Sequence, residues 1–349
     1  MKTLTKILMP GLLLVAACAR QGDPVPASRA LQEEPDATLT IQVLPPGTKA
    51  TSVHTDLTDQ EQVMNNIQVC AFTTVYTYRS GVYFYNPTTL SSFYAEDGFQ
   101  DKSSVTTSLH SGMKRMFILA NWYALEPHEL TDWASLEEQE MDTAQWIGND
   151  VGAFPMEYGL LEDWELEIAP GTNRTVPVTL RRMVSRLVLG SITNDLHADY
   201  GTAVPKSVSL LDVPKSLCLD GVIIERPYYN PMGQDFSTQA LCEASGGTYT
   251  YASIDAAPDG SFDPVVLYTF PGSHVHLMVA VDFTKDATTT TYYYAVPLKN
   301  LDFNCTYDID LHLRNLGSTD PANPAITHAS AFTVTPGEWE AMPAIEELM

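Results

Sequence analysis

The chain has 349 residues and carries 19 Lys and Arg against 43 Asp and Glu, a formal net charge of −24 at pH 7. So acidic a protein is a poor match for nucleic acid, because gripping phosphates takes clustered basic side chains. The length leaves room for two domains of ordinary size, and five cysteines in a chain this long exclude a disulfide-held mini-scaffold.

The first eighteen residues read as an export signal. Lys2 and Lys6 precede an apolar run, 7–17, that is broken only by Pro10 and Gly11. A run of that length is too short to span a bilayer, which needs about 20 apolar residues. Its end, Val15-Ala16-Ala17-Cys18, resembles the bacterial lipobox. In signals of that kind the chain is cut before the cysteine and the thiol is acylated. Residues 1–17 are therefore expected to be a lipoprotein signal peptide, and Cys18 the lipid attachment point at the outer membrane. Residues 18–36, with Pro24 and Pro26 among polar neighbours, read as a tether. No later segment is apolar enough to span a membrane, so the body is expected to lie in water.

From there the dominant pattern is alternation with period two, bounded by turn residues, which is the mark of half-buried antiparallel strands. Leu39, Ile41 and Val43 share one face, with Thr38, Thr40 and Gln42 on the other. Strands are predicted around 67–75, 116–120, 176–180 and 187–189. The run 116–120 is apolar throughout, as a central strand would be. In the second half they are predicted around 208–210, 222–224, 265–270, 275–281 and 292–296. The clearest case is Tyr307, Ile309, Leu311 and Leu313, with Asp308, Asp310 and His312 opposite. One region, 129–145, lacks Gly and Pro and is rich in Leu, Glu, Ala and Met. It predicts a helix with a capping box from Ser135 to Glu138, stopped at 147–150, with Trp133 and Trp146 packing it on a sheet. Many short strands with Pro and Gly turns imply a mostly β protein of two antiparallel β-sandwich domains in tandem. The boundary is placed near Arg182, where two strand-like runs meet without a linker.

Chemistry-bearing motifs are missing. There is no Gly-x-Ser-x-Gly elbow, His-Glu-x-x-His pair, Gly-x-Gly-x-x-Gly turn or Walker loop, so neither an enzyme nor a cofactor is expected. His274 and His276 alternate and so would share a strand face, but no third ligand completes a metal site. In the turn 255–260, Ala257 and Val266 stand where a calcium loop needs oxygen ligands. Cys70, Cys218, Cys242 and Cys305 match no zinc spacing. They read as buried thiols, with Cys218 and Cys242 the pair best placed for a bridge. Asn173-Arg174-Thr175, Asn304-Cys305-Thr306 and Asp142-Thr143-Ala144 match short glycosylation patterns, all of low specificity.

Taken together the chain resembles the FimA-type fimbrillins, the type V pilins of Bacteroidetes, over nearly its whole length. Four ordered segments carry the resemblance. The lipobox is followed by a lone strand, Ala37-Thr38-Leu39-Thr40-Ile41-Gln42-Val43. After a polar gap comes Val63-Met64-Asn65-Asn66-Ile67-Gln68-Val69-Cys70-Ala71-Phe72. At mid-chain, Arg182-Met183-Val184-Ser185-Arg186-Leu187-Val188-Leu189 is similar to the family's domain-junction strand. Near the end, Asn304-Cys305-Thr306-Tyr307-Asp308-Ile309-Asp310-Leu311 precedes the segment 317–324, then Phe332-Thr333-Val334-Thr335 and Trp339.

The resemblance implies two transthyretin-like sandwiches, 37–182 and 183–349. It implies that the first strand is a removable pro-strand, 37–49, filling a groove through Leu39, Ile41 and Val43. A trypsin-like surface protease would cut behind it, between Lys49 and Ala50, although the family typically has arginine before the cut. The C-terminal tail of another fimbrial subunit, about 326–349 here, would then fill the groove by strand addition through Phe332, Val334 and Trp339. A head-to-tail contact of this kind does not close, so it makes a filament. Pro336-Gly337 is expected to break that tail into two short pieces. Two other readings remain: a fimbrial anchor or adhesive tip, and a non-polymerising lipoprotein that binds a host or bacterial glycan or protein. Tyr228-Tyr229 and Tyr292-Tyr293-Tyr294 would serve the last.

Overall fold

A computed structural model describes residues 34–44, 54, 64–79, 82–97, 103–121, 130–142, 156–158, 165–196, 198–219, 223–224, 227–247, 249–327 and 332–338. Cys18, Lys49, Ala50, Trp146 and Trp339 lie outside these residues. In the first half the strands are β1 (Ala37–Leu44), β2 (Asn66–Arg79), β3 (Val82–Asp97), β4 (Ser104–Leu109), β5 (Gly112–Ala120), β6 (Glu140–Asp142), β7 (Met156–Tyr158), β8 (Glu165–Ile168), β9 (Asn173–Thr179) and β10 (Arg181–Arg182). A short helix, α1 (Trp133–Glu137), precedes β6. The second half has β11 (Ser185–Asn194), β12 (Thr202–Leu211), β13 (Ser216–Cys218), β14 (Ile223–Ile224), β15 (Tyr251–Ser253), β16 (Val265–Thr269), β17 (His276–Lys285), β18 (Thr288–Pro297), β19 (Cys305–Leu313), β20 (Ala325–Ile326) and β21 (Phe332–Glu338). Its one helix of this kind among the described residues is α2 (Gln239–Ala244).

The fold is a tandem of β-sandwiches. In the first, the sheet β4-β1-β9 faces the sheet β10-β7-β5-β2-β3, with β8 on β5. Leu39, Ile41 and Val43 meet Ile67, Val69, Ala71, Met116, Ile118 and Ala120 in its core. In the second, β16-β11-β19-β21 faces β15-β12-β17-β18-β20. Its core joins Leu187, Leu189, Ile309 and Leu311 to Val208, Leu210, Val279 and Val281. The alternation read in the sequence is thus the in–out pattern of two-layer packing.

The apolar run in β5 has a specific cause. Its even residues face the first sandwich core. Its odd residues, Phe117 and Leu119, face a third cluster with Cys70, Phe72, Trp133 and Leu136. That cluster also takes Met183, Val184, Leu217, Leu219 and Phe270 from the second half. A strand buried on both faces has no position left for polar residues. The two halves therefore share an apolar seam, and from Pro35 onward the chain forms one compact unit.

The helix is shorter than the sequence suggests. Among the described residues of that stretch only Trp133–Glu137 is helical, and its capping box runs from Asp132 to Ser135, not from Ser135 to Glu138. The Asp132 carboxylate accepts from Ser135 N at 2.9 Å, and Ser135 Oγ accepts from Asp132 N at 3.1 Å. The chain then leaves the helix because β6 pairs antiparallel with β13 of the second half, Leu217 opposite Met141. Leu219 N also donates to Gln139 O at 3.0 Å. Helices this short have little stability of their own, so a competing ladder decides the outcome. Asp132→Ala is expected to destabilise the protein by about 1 kcal/mol in urea denaturation, the usual loss for an N-cap.

The histidine expectation also needs correcting. His274 and His276 do not share a strand face: His276 opens β17, whereas His274 precedes it, exposed, with its ring edge-on to Tyr228. His276 instead lies 3.6 Å from the Asp212 carboxylate. Among the described residues no group of three or more His, Cys, Asp or Glu is placed to hold a metal. Cys218 and Cys242 are not bridged; all four described cysteines are free. Cys242 is buried in α2 against Leu211, Phe236 and Met278, while Cys218 lies on β13 at the seam. Burial pushes the Cys70 thiol up to about 12. Since the thiolate is the nucleophile, Cys70 is expected to resist iodoacetamide at pH 8 in the native protein. It should be labelled only as fast as the protein unfolds, which mass spectrometry of timed samples would read.

Candidate functional site

The candidate site is the slot that β1 occupies. β1 is the middle strand of its sheet, antiparallel to β4 and parallel to β9. Thr38 N donates to Thr172 O at 2.9 Å, and Val43 N donates to Ser103 O at 2.8 Å. With Thr38 opposite Asn173, the ladder alternates: even residues of β1 bond to β9 and odd residues to β4. Leu39, Ile41 and Val43 are 0%, 0% and 2% exposed, so the predicted face is the buried one. Each such side chain contributes about 1.5–3 kcal/mol by leaving water. A slot without β1 would present two complete ladders and an apolar floor.

The other edge of β9 is different. Since Arg174, Val176 and Val178 turn their backbone groups to β1, Pro177 turns its missing N–H outward. Proline on an open edge removes a donor and blunts that edge against further strands. The outer edge of β9, unpaired among the described residues, is thus blunted against a further strand.

Sequence reading missed how β1 is tied at its start. The Asp36 carboxylate accepts from Ser111 N at 2.6 Å and from Ser111 Oγ at 2.7 Å. Gly171 N donates to Asp36 O at 2.7 Å. The Ser111 side-chain and backbone hydrogen bonds hold the Asp36 carboxyl below its usual value. A depressed carboxylate stabilises the fold above its ordinary pKa, and that contribution is lost as pH falls through the lowered value. Acid therefore loosens the start of β1.

Past β1, the expected cut between Lys49 and Ala50 lies outside the described residues. His54 is the described residue of that connection. Its Nε2 lies 3.2 Å from Asp310 Oδ1 on β19, and Ser191 Oγ donates to the same carboxylate at 2.5 Å. A Cβ at Gly190 would stand 2.1 Å from the His54 ring, so the missing side chain makes the room. His54 is thereby held against the second sandwich.

The tail is only partly available. Ala325–Ile326 pairs with β18, and Phe332–Glu338 runs antiparallel on β19. Phe332 and Val334 pack half-buried against the second core of their own chain. Pro336-Gly337 does not break the strand: β21 is continuous through it, because β21 is an edge strand and edges tolerate proline. Of the tyrosines considered for ligand binding, Tyr294 is buried and Tyr228, Tyr229, Tyr292 and Tyr293 are half-buried. Tyr229 OH donates to Asp142 at 2.7 Å across the seam, with Lys215 3.8 Å from the same carboxylate. Tyr229 therefore serves contact between the halves.

No protein-family model matches the sequence, and no curated protein does. Solved structures do match in fold. A candidate cell adhesion protein of Parabacteroides distasonis superposes with a TM-score of 0.61 at 12% identity, over 89% of this chain and 99% of that one. Another, from Bacteroides eggerthii, gives 0.58 at 16% identity, over 88% and 97%. A fimbrilin (FimA) of Porphyromonas gingivalis gives 0.58 at 14% identity, over 89% and 99%.

Proposed function

We propose, from the premise that this chain has the fold of a FimA-type fimbrillin, that it is a structural subunit of a cell-surface fimbria and supports adhesion. The observation that carries this reading is the place of β1, a central strand whose three buried side chains fill a slot ready for another strand. In the proposed sequence of events the chain is exported as a lipoprotein, acylated on Cys18 and held at the outer membrane. A trypsin-like surface protease cuts between Lys49 and Ala50, and the pro-strand with Leu39, Ile41 and Val43 leaves the 37–182 sandwich. The tail of the 183–349 sandwich of another subunit then fills the slot. Because Phe332 and Val334 are engaged in their own sheet, donation falls to the chain from Glu338 onward, including Trp339, or requires β21 to peel away first. No catalysis, metal or cofactor enters the proposal.

A fimbrial anchor or tip is the second reading. It is favoured by the lysine at the cut, where the family typically has arginine, and by the docking of β21 on its own domain. Limited trypsin treatment of the exported form, with N-terminal sequencing and electron microscopy, separates the two. One cut near Lys49, loss of β1 and growth of filaments support the stalk subunit. A clean cut without filaments moves the assignment to an anchor or tip.

A further inference from the structure

β4 is the outer strand of the sheet that holds β1. Odd residues of β1 bond to β4, so their partners Val105, Thr107 and Leu109 turn their backbone groups to β1. Ser104, Thr106 and Ser108 therefore turn theirs to the outer edge, where β4 has no ladder partner among the described residues. The side chains of these three are exposed, while Val105 and Leu109 are buried. The Thr106 hydroxyl lies 2.9 Å from the Thr40 hydroxyl, which donates to Asn173 Oδ1 at 3.3 Å. A row of polar groups thus crosses the sheet and ends at Thr106.

Sheet edges are normally guarded by proline, charge or a bulge. β9 and β21 each carry a proline, Pro177 and Pro336. β4 has none of these guards. Residues 103–109 hold no proline, glycine or charged side chain, and the register of β4 on β1 is unbroken. In a chain of net charge −24, two copies repel one another over most of their surface, and a neutral edge is where they can close.

We propose that the outer edge of β4 is an interaction surface for a second copy of this chain, with β4 pairing antiparallel on β4 about a two-fold axis at Thr106. Antiparallel self-pairing is isologous, so it closes as a dimer and does not extend. Thr106 is the middle one of the three outward residues, and an axis there places Ser104 of each copy opposite Ser108 of the other. A shift of register by two residues loses a pair. Thr106 meets the second copy's Thr106, a β-branched cross-strand pair of the kind that stabilises sheets. β4 stays in its sheet whichever strand fills the β1 slot, so this surface does not depend on strand replacement. A ladder on one strand of 6 residues is small, and the dimer is accordingly weak and concentration-dependent.

Sedimentation of the exported chain over rising concentrations tests the proposal, and the parent should associate. Thr106→Lys and Thr106→Glu each set like charges face to face on the axis and should weaken dimerisation by about tenfold or more. An equimolar mixture of the two should recover to within about threefold of the parent, because opposite charges meet only in the mixed pair. Thr175→Lys, on the same face of the sheet but two strands from the axis, should associate as the parent does. Residue 106 is exposed, so its variants should keep the parent's circular dichroism. A parent that stays monomeric overturns the proposal. So does association that either charged variant leaves intact, or a loss in both that mixing does not restore.

Discussion

Ile41→Lys is expected to unfold the first sandwich. Ile41 is fully buried, lies opposite Val105 on β4 and Val176 on β9, and faces Val69 and Ile118 in the core. A lysine there has no carboxylate to meet, and its stem cannot reach water past two flanking strands. Loss of a buried aliphatic side chain alone costs about 2–5 kcal/mol when it is cut to alanine. An unpaired buried charge adds to that and takes the change into the exceptional range, above about 4–5 kcal/mol. The outward neighbours supply the control. Thr40→Lys and Gln42→Lys point away from the core and should change stability by no more than about 0.5 kcal/mol. Guanidinium denaturation of the three variants decides the matter. If Ile41→Lys were no less stable than Gln42→Lys, the buried place of β1 would be wrong.

The second large effect is expected at the seam. Phe117 is fully buried, and its ring meets the Trp133 ring edge-on at 6.0 Å, as Phe72 does at 5.3 Å. The Arg115 guanidinium lies 3.7 Å over the same Trp133 ring. Phe117 thus sits where the first sandwich, α1 and the second half close on one another. Phe117→Ala should cost about 3–5 kcal/mol. It should also separate the halves in unfolding, because the seam is what couples them. Urea titration followed by Trp fluorescence and by far-UV circular dichroism should give coincident curves in the parent and displaced curves in the variant. Coincident curves with a loss below about 1 kcal/mol would contradict the shared core.

How much of this was legible beforehand depends on how local the cause was. The inward set Leu39, Ile41 and Val43 could be read directly, because a strand's in–out alternation is written in adjacent residues. The same holds for Tyr307, Ile309 and Leu311. The end of the helix could not be read. Residues 129–145 favour a helix by composition, but Glu140–Asp142 finds a partner in Ser216–Cys218, 76 residues away by the Ser216–Glu140 bond. Propensities of a few tenths of a kcal/mol per residue yield to a ladder of that kind. Pro336 was misread for a related reason: proline breaks a strand only where its N–H is needed, and the sequence does not say which strand is at an edge.

The sequence by itself determined the class of the molecule. Alternation, turn residues and an apolar run at 116–120 require two-layer β packing, and the order of segments from 37 to 339 resembles one family of pilins. Tertiary structure alone decided what surrounds β1. It placed β1 between an antiparallel and a parallel neighbour, turned Pro177 away from β1 and tied Asp36 to Ser111. It also seated Phe332 and Val334 on their own domain. Each of these is a contact between residues tens to hundreds of positions apart, fixed by which ladder or core offers the larger gain, and such a comparison exists only once the chain has closed on itself.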